Sequence, residues 1–276
     1  MSTTANGGVS LYYETFGAAE DPVLLLVNGL GSQCINFKDE FCEKFAARGF
    51  RVVRFDNRDV GLSSHLAGGP HYTVDDMAQD GFAVLDAVGA EAAHIAGWSM
   101  GGMIVQAMAL REPSRVLSMT SVMSAPGPIT GERDPAVTAI FGAAPATTRD
   151  EAAERHLAGL TAWGSPACID VDRITADSHA AYDRCFDPGG RARQSNAIGA
   201  SPSRTAALGS LRVPTLVLHG DADRLVPPEN GRATAAAIPG SRLEIIEGMG
   251  HDYPPQYWDR LVALITAHAG AAAPAS

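Results

Sequence analysis

Residues 94–102, His-Ile-Ala-Gly-Trp-Ser-Met-Gly-Gly, join an apolar segment to a helical one through a turn of small residues. The G-x-S-x-G pattern at 97–101 is weak by itself, because the chain has 29 glycines in 276 residues. Its setting makes it informative, since the preceding segment is typical of a strand and the following one of a helix. Gly97 and Gly101 permit a sharp turn that lifts the Ser99 hydroxyl above the carboxyl end of a sheet, beside the free N–H groups of the helix.

Strand-like and helix-like segments alternate along most of the chain. Short continuous apolar runs are typical of strands covered on both faces of a parallel sheet. The predicted strands cover residues 23–27, 51–55, 92–98, 116–124, 215–219 and 243–247, preceded by a weaker alternating segment at 9–13. The predicted helices cover residues 37–48, 100–111, 229–238 and 257–268, and a further segment that begins after Thr73. This alternation predicts an α/β fold with a mostly parallel central sheet flanked by helices.

One stretch interrupts the alternation, from residue 129 to residue 204. It is rich in proline and contains helical fragments without a convincing apolar strand. We predict that residues 1–128 and 205–276 form the core and that residues 129–204 form a helical cap insertion. The insertion carries three aromatic residues that either line a substrate pocket or pack its interior, and the sequence leaves both readings open. They are Trp163, Tyr182 and Phe186.

The overall composition excludes several classes of protein. The formal net charge of −10 argues against a nucleic-acid or anionic-membrane surface, since either needs clustered Lys and Arg. No apolar run approaches the roughly 20 residues of a membrane span, and residues 1–8 lack the apolar region of a signal peptide, so we expect a soluble, cytoplasmic protein. The Cys, His and acidic residues show no metal-site spacing. Five histidines are expected to be solvated: His65, His71, His156, His179 and His268.

Ser99 becomes a nucleophile only when a neighbouring base removes the proton of its hydroxyl group. His251, in the Gly-rich loop after the last predicted strand, can supply that base. An acid must hold the imidazole in the right tautomer. Two candidates follow the strand at 215–219, namely Asp221 and Asp223, and either carboxylate could serve.

Taken together, these segments resemble the α/β-hydrolase family over nearly the whole chain. The matching pieces are Asn-Gly-Leu-Gly at 28–31, Asp-Asn-Arg-Asp-Val-Gly-Leu-Ser at 56–63, the turn at Ser99, the segment 219–227 and Gly-Met-Gly-His at 248–251. The resemblance implies an α/β-hydrolase fold with a helical cap. It also implies a catalytic triad of Ser99, Asp223 and His251, in the chain order of that family, because Asp223 stands three residues after the glycine of the acid-bearing motif. The oxyanion hole is then formed by the backbone N–H groups of Leu30 and Met100.

The chain departs from the family pattern at two points. Asn28 replaces the usual His before Gly29, and the usual Asp-x-Arg-Gly-x-Gly reads Asp-Asn-Arg-Asp-Val-Gly at 56–61. A similar Arg-Asp loop occurs in the aclacinomycin methylesterase branch, which removes a methyl ester from a polyketide. The resemblance to that branch is a weaker hint than the resemblance to the family.

We therefore expect a serine hydrolase that cleaves a carboxylic ester or lactone through an acyl-enzyme, with a methyl ester of a polyketide-like or aromatic substrate as the more specific expectation. The expected binding partner is the small-molecule substrate. We expect no cofactor, metal ion, nucleic acid or membrane to bind, and the sequence does not indicate an oligomeric state. One alternative keeps the triad but changes the chemistry: a perhydrolase or cofactor-free haloperoxidase, a C–C bond hydrolase, or an acyl-transferring cyclase. A second alternative is a non-enzymatic ligand-binding homologue.

Overall fold

A single twisted sheet forms the centre of the protein. The structure is a computed structural model that describes residues 2–69, 71–132 and 134–272. The strands are β1 (Ser2–Asn6), β2 (Val9–Phe16), β3 (Val23–Val27), β4 (Arg51–Phe55), β5 (Ala93–Trp98), β6 (Val116–Val122), β7 (Thr215–Gly220) and β8 (Arg242–Ile246). They are ordered β1-β2-β4-β3-β5-β6-β7-β8. β1 and β2 are antiparallel to their neighbours and the other six strands run parallel, which confirms the predicted fold class.

Helices cover both faces of the sheet and also fill the interrupted stretch. They are α1 (Asp39–Ala46), α2 (Val74–Ala87), α3 (Met100–Arg111), α4 (Pro135–Gly142), α5 (Arg149–Trp163), α6 (Val171–Arg184), α7 (Gly190–Ala200), α8 (Thr205–Leu208), α9 (Glu229–Ala237) and α10 (Pro255–Ala272). Within the described residues, none of these helices combines the length and apolar character that crossing a membrane requires.

The first strand, β1, is absent from the sequence prediction. Its five residues are polar or small, and it lies at the edge of the sheet, where it pairs only with β2. An edge strand exposed to water needs no apolar run, so periodicity gives no signal for it. Most other predicted elements agree with the observed ones within a few residues, and the last helix extends beyond its predicted end at residue 268 to Ala272.

The buried strand β3 shows how the sheet divides the core. All five of its side chains are buried. Leu25 packs on one face in a core shared with α2 and α3, whereas Leu24 and Leu26 pack on the other face in a core shared with α1 and α10. Helices that pack on both faces fix the strands in place. Because these strands are parallel, their carboxyl ends meet at one edge of the sheet.

The helices α4 to α7 lie in the chain between β6 and α8, in the stretch predicted to be a cap. Within residues 129–132 and 134–204 the structure contains helices, turns and loops but no strand. The helices α5 and α6 pack against each other, and α4 packs against α5. The assignment of residues 129–204 as a separate cap stays a prediction.

A buried ion pair connects the loop after β4 to α2. The Arg58 guanidinium donates two hydrogen bonds to Asp80, with Nε 2.6 Å from Oδ2 and Nη2 2.7 Å from Oδ1. The Asp80 side chain is fully buried, and burial raises its pKa although Arg58 counteracts the rise. Removing only one partner of such a pair leaves an uncompensated buried charge, which destabilises more than removing both partners.

We predict that Arg58→Met lowers the free energy of unfolding by about 3–5 kcal/mol, because the Asp80 carboxylate is then buried without its cation. The double variant Arg58→Met/Asp80→Leu should recover most of that loss. Urea denaturation of the wild type and both variants measures the two effects. A double variant as unstable as the single one would show that the pair itself, rather than the orphaned carboxylate, carries the stability.

Candidate active site

The turn between β5 and α3 holds Ser99 in a backbone conformation that non-glycine residues rarely adopt. Its φ is 56° and its ψ is −117°. The turn is tight because two neighbours have no side chain. A Cβ placed on Gly97 would lie 2.1 Å from the Gly101 carbonyl oxygen, and one on Gly101 would lie 2.0 Å from the Val27 carbonyl oxygen. The sequence prediction of a sharp strand-to-helix turn therefore agrees with the structure.

His251 lies over this turn on the loop that follows β8. Its Nε2 is 2.9 Å from the Ser99 Oγ. Gly248 begins the loop with a φ of 71°, and its N–H donates to Asp221 Oδ1 at 2.7 Å. Asp221 is one of the two acids that the sequence left as candidates. It anchors the start of the His251 loop and does not face the imidazole.

Asp223 is the acid that reaches the imidazole. The His251 Nδ1 is 2.7 Å from Asp223 Oδ2, and Asp223 Oδ1 accepts hydrogen bonds from the N–H groups of Leu225 and Val226 at 2.9 and 2.8 Å. Burial opposes ionisation of Asp223, but the charge of His251 and hydrogen bonds from His219 and His251 outweigh it, so the pKa of Asp223 is lowered. An ionised Asp223 fixes the proton of His251 on Nδ1 and leaves Nε2 free to accept the Ser99 proton.

His219 lies behind Asp223 at the end of β7. Its Nε2 is 2.8 Å from the Val226 carbonyl oxygen and 3.4 Å from Asp223 Oδ2. The ring is fully buried. His219 is therefore a structural, hydrogen-bonded histidine that fixes the turn carrying Asp223.

The loop after β3 brings Leu30 next to the serine. A Cβ on Gly29 would be 3.3 Å from the Ser99 Cβ, so the two backbones are in contact. The buried Asn28 supports this loop, since its Nδ2 donates to the Gln33 carbonyl at 2.7 Å and its own carbonyl accepts from Asn57 Nδ2 at 3.1 Å. The departure from the family's histidine thus leaves the loop with a well-anchored backbone.

The Met100 N–H is the first of α3. The N–H groups of Gly102 and Met103 bind the Ser99 carbonyl at 2.9 and 3.3 Å, and the first N–H groups of a helix have no acceptor within it. The Met100 and Leu30 N–H groups belong to the two backbone segments that flank the Ser99 side chain. This position is suited to hold a negatively charged oxygen.

Residues from the predicted cap support the Leu30 loop from the other side. The Gln194 side chain accepts from the Gly31 N–H at 2.8 Å and donates to the Arg58 carbonyl at 2.7 Å. Arg184 forms an ion pair with the fully buried Asp56 at 2.8 Å, and Asp56 Oδ1 accepts from the Cys34 N–H. Sequence reasoning did not find the contacts of Gln194 and Arg184, because each of them joins positions more than 100 residues apart.

The predicted cap segment also holds the His251 loop. The His251 N–H donates to the Trp163 carbonyl at 2.6 Å, and the Gly250 N–H donates to Ser165 Oγ at 3.0 Å. Ser165 in turn donates both its N–H and its hydroxyl group to Asp252 Oδ1. Burial raises the pKa of Asp252, and the hydrogen bonds from Ser165 counteract part of that rise.

The three aromatic residues singled out in the insertion take different positions. Trp163 contacts the His251 loop through its carbonyl group, and its ring centroid is 5.7 Å from that of Phe141. Tyr182 and Phe186 stack on each other with ring centroids 4.3 Å apart. A role of any of the three in binding substrate stays a prediction.

Three of the five histidines expected to be solvated also make hydrogen bonds within the protein, and one of them is His268, whose Nε2 is 3.2 Å from the Pro214 carbonyl oxygen. His65 Nδ1 is 2.8 Å from Asp187 Oδ2, and its Nε2 is 3.0 Å from the Gly61 carbonyl oxygen. Burial lowers the pKa of His65, but the hydrogen bonds to Gly61 and Asp187 outweigh it and the net shift is upward. His156 Nδ1 is 2.6 Å from Ser178 Oγ. His65 and His156 are exposed to solvent as predicted, and each has in addition a polar partner that is distant in sequence.

One cluster has the residue types of a metal site. Ligand atoms of Asp59, His65 and Asp187 lie within 4.8 Å of one another. Arg193 forms ion pairs with both carboxylates, at 2.8 Å from Asp59 and in close contact with Asp187. The guanidinium already neutralises the charge that would attract a cation, so the cluster is an ion-pair network between the core and α7.

We predict that Asp252→Asn leaves the protein at least as stable at pH 7, because the amide oxygen still accepts from Ser165 and no buried charge remains. The folded state binds a proton at Asp252 more tightly than the unfolded state does, so wild-type stability gains as pH falls from the raised pKa towards about 4. The variant lacks that gain, and its advantage over the wild type should shrink on acidification.

Urea denaturation at pH 7 and pH 4.5 measures this difference, with the exposed Asp172→Asn as the matched control. A variant that is less stable than the wild type at pH 7, or whose stability relative to the wild type grows at pH 4.5, contradicts a raised pKa of Asp252 in the folded protein.

Known proteins resemble this chain over almost its whole length. The serine aminopeptidase S33 family (Hydrolase_4) matches residues 18–254. Rhodomycin D methylesterase DauP of Streptomyces sp. strain C5 is 33% identical over 96% of both chains, and rhodomycin D methylesterase DnrP of Streptomyces peucetius is 32% identical over 97% of both. A hydrolase from Pseudomonas aeruginosa PA01, a solved structure, shares 27% identity with a TM-score of 0.78 over 98% of both chains. The chain therefore belongs to the serine aminopeptidase S33 family and is a hydrolase of the α/β-hydrolase fold.

Proposed function

We propose that this hydrolase cleaves a carboxylic ester or lactone by nucleophilic attack of Ser99. The observation that carries the proposal is the chain of hydrogen-bond distances from Ser99 Oγ to His251 Nε2, 2.9 Å, and from His251 Nδ1 to Asp223 Oδ2, 2.7 Å. A nucleophile, a base and an orienting acid in this order form the arrangement that activates a serine hydroxyl.

In the first half-reaction, His251 Nε2 takes the Ser99 proton as Oγ attacks the ester carbonyl carbon. The carbonyl oxygen becomes an oxyanion, which the N–H groups of Leu30 and Met100 stabilise, and each such donor contributes about 3–4 kcal/mol. The ionised Asp223 stabilises the imidazolium. His251 then gives its proton to the leaving alkoxide as the C–O bond breaks, which leaves an acyl-Ser99 and a free alcohol.

In the second half-reaction, His251 takes a proton from a water molecule, which attacks the acyl carbon. The same oxyanion site holds the second tetrahedral intermediate. Its collapse returns the proton from His251 to Ser99 Oγ and releases the carboxylic acid. Every proton is carried by His251, so the reaction needs no cofactor.

Two observations support a methyl ester of a polyketide-like or aromatic compound as the substrate. The full-length relatives at 32–33% identity are named rhodomycin D methylesterases. In addition, the segment 129–204, which we propose is a cap, carries aromatic side chains and contacts both loops that flank Ser99. A cap in this position sets substrate choice by shape, while the turn at Ser99 supplies the chemistry.

The reaction product distinguishes hydrolysis from the other chemistries open to this triad. Incubation of one ester with water alone, with peroxide and with an alcohol acceptor separates a hydrolase from a perhydrolase and from an acyltransferase. We expect the free acid to be the major product in all three mixtures.

We predict that Ser99→Ala lowers kcat for a methyl or p-nitrophenyl ester by about four orders of magnitude or more, because the nucleophile is lost. A fluorophosphonate probe should label the wild type covalently and leave Ser99→Ala unlabelled. The exposed Ser203→Ala is the matched control and should keep both properties. Unchanged turnover in Ser99→Ala, or labelling that persists, overturns the mechanism; a folded wild type that is never labelled supports the ligand-binding alternative.

The same exchange at two neighbouring acids tests the choice of Asp223. Asp223→Asn should lower kcat by about 10⁴-fold, because the amide no longer holds His251 in the required tautomer. Asp221→Asn should change kcat less than about tenfold, since the amide oxygen still accepts from the Gly248 N–H. Steady-state kinetics with one p-nitrophenyl ester measure both, and the reverse order of effects would assign the orienting role to Asp221.

A further inference from the structure

Arg191, near the start of α7, lies against the loop that carries the proposed oxyanion hole. A Cβ placed on Gly31 would be 3.4 Å from the Arg191 Cγ and 3.5 Å from its Cβ and Cδ. The stem of Arg191 therefore covers Gly31, the residue directly after Leu30. This contact fixes the side chain at the rim of the Ser99 site.

From Gly31, a row of side chains crosses to the His251 loop. The Arg191 guanidinium stacks on the Phe141 ring, with Cζ 4.5 Å from the ring centroid. The Phe141 ring is 42% exposed and lies 5.7 Å from that of Trp163, whose carbonyl binds the His251 N–H. One cation and two aromatic rings thus connect the two loops that flank Ser99.

Arg191 has no anion of its own in the protein. Among the described residues, its guanidinium makes neither an ion pair nor a hydrogen bond, whereas Arg184 and Arg193 of the same segment both bind carboxylates of the core. The positive charge of Arg155 also acts on Arg191, and Arg155 forms no ion pair within the described residues.

Arg191 is exposed to solvent, although its stem packs on Gly31 and its guanidinium on Phe141. Desolvation and the charge of Arg155 lower its pKa. Stacking on Phe141 occupies the face of the guanidinium and leaves its N–H edge free. That edge matches a carboxylate or a phenolate in a way that an ammonium group does not.

We propose that Arg191 forms an anion-binding subsite that selects esters in which a planar aromatic ring carries a second, negatively charged group. The inference rests on the proposed ester hydrolysis at Ser99 and adds a substrate class to it. The ring stacks with Phe141 and Trp163, the anion binds the free edge of Arg191, and the neutral ester group reaches Ser99.

Calorimetric titration with an isosteric pair of ligands tests the subsite without turnover. The wild type should bind 2-naphthoate roughly tenfold or more tightly than 2-naphthamide, since a hydrogen-bonded charge pair is lost in the neutral amide. Arg191→Met should abolish this preference, and Arg191→Lys should retain part of it, because the charge remains without the planar edge. The exposed Arg111→Met on α3 should leave the preference unchanged.

A kinetic comparison relates the subsite to catalysis. The ratio of kcat/KM for methyl 4-carboxybenzoate to that for methyl 4-carbamoylbenzoate should exceed unity in the wild type and fall to about unity in Arg191→Met. Binding of neither naphthalene ligand, equal binding of both, or a preference that survives in a folded Arg191→Met or Arg191→Gln overturns the subsite. These outcomes are distinct from failure of the proposed mechanism, which appears as turnover or probe labelling in Ser99→Ala.

Discussion

The backbone of Ser99 is the constraint on which the site depends. A non-glycine residue with a φ of 56° is strained by about 1–3 kcal/mol, so the surrounding structure must hold it there. The Ser99 N–H donates to the Val122 carbonyl at 2.9 Å, and its carbonyl accepts from Ser124 Oγ at 2.7 Å. Close packing of Gly101 on β3 completes the support. Contacts with the buried parallel sheet therefore offset the strain in the Ser99 backbone, and this backbone conformation places the Ser99 hydroxyl group at the edge of the sheet.

The second requirement is that His251 reach this hydroxyl group from a separate loop. Hydrogen bonds hold that loop on two sides of the chain: Asp221 of the core binds it, and so do Trp163 and Ser165 of the helical segment. The helical segment likewise contacts the opposite loop through Gln194. Each side of the site is thus anchored by residues of this one helical segment, so the positions of the two loops depend on the same segment.

Local pattern predicts much of this arrangement. The apolar runs of the parallel strands, the small residues around Ser99 and the glycines before His251 are short-range signals, and all lie where the sequence places them. The choice of Asp223 over Asp221 needed the resemblance to a family, because both carboxylates follow the same strand and only the fold decides which one turns inward. The pairing of Ser165 with Asp252, 87 residues apart, leaves no local signal, since neither residue interrupts a helix or a strand. The edge strand β1 escaped prediction for a different reason, because its polar sequence has no apolar periodicity.

The arginines of the helical segment show how charge is distributed around the site. Arg184 and Arg193 each bind a fully buried carboxylate at the carboxyl edge of the sheet, Asp56 and Asp59, and these pairs attach the segment to the core. A buried carboxylate without its cation is costly, so these two arginines are fixed by the fold. Arg191 lies between them in the chain and points at neither carboxylate. Its contacts with Gly31 and Phe141 do not require a positive charge for stability. We therefore propose that the charge of Arg191 serves to bind the substrate.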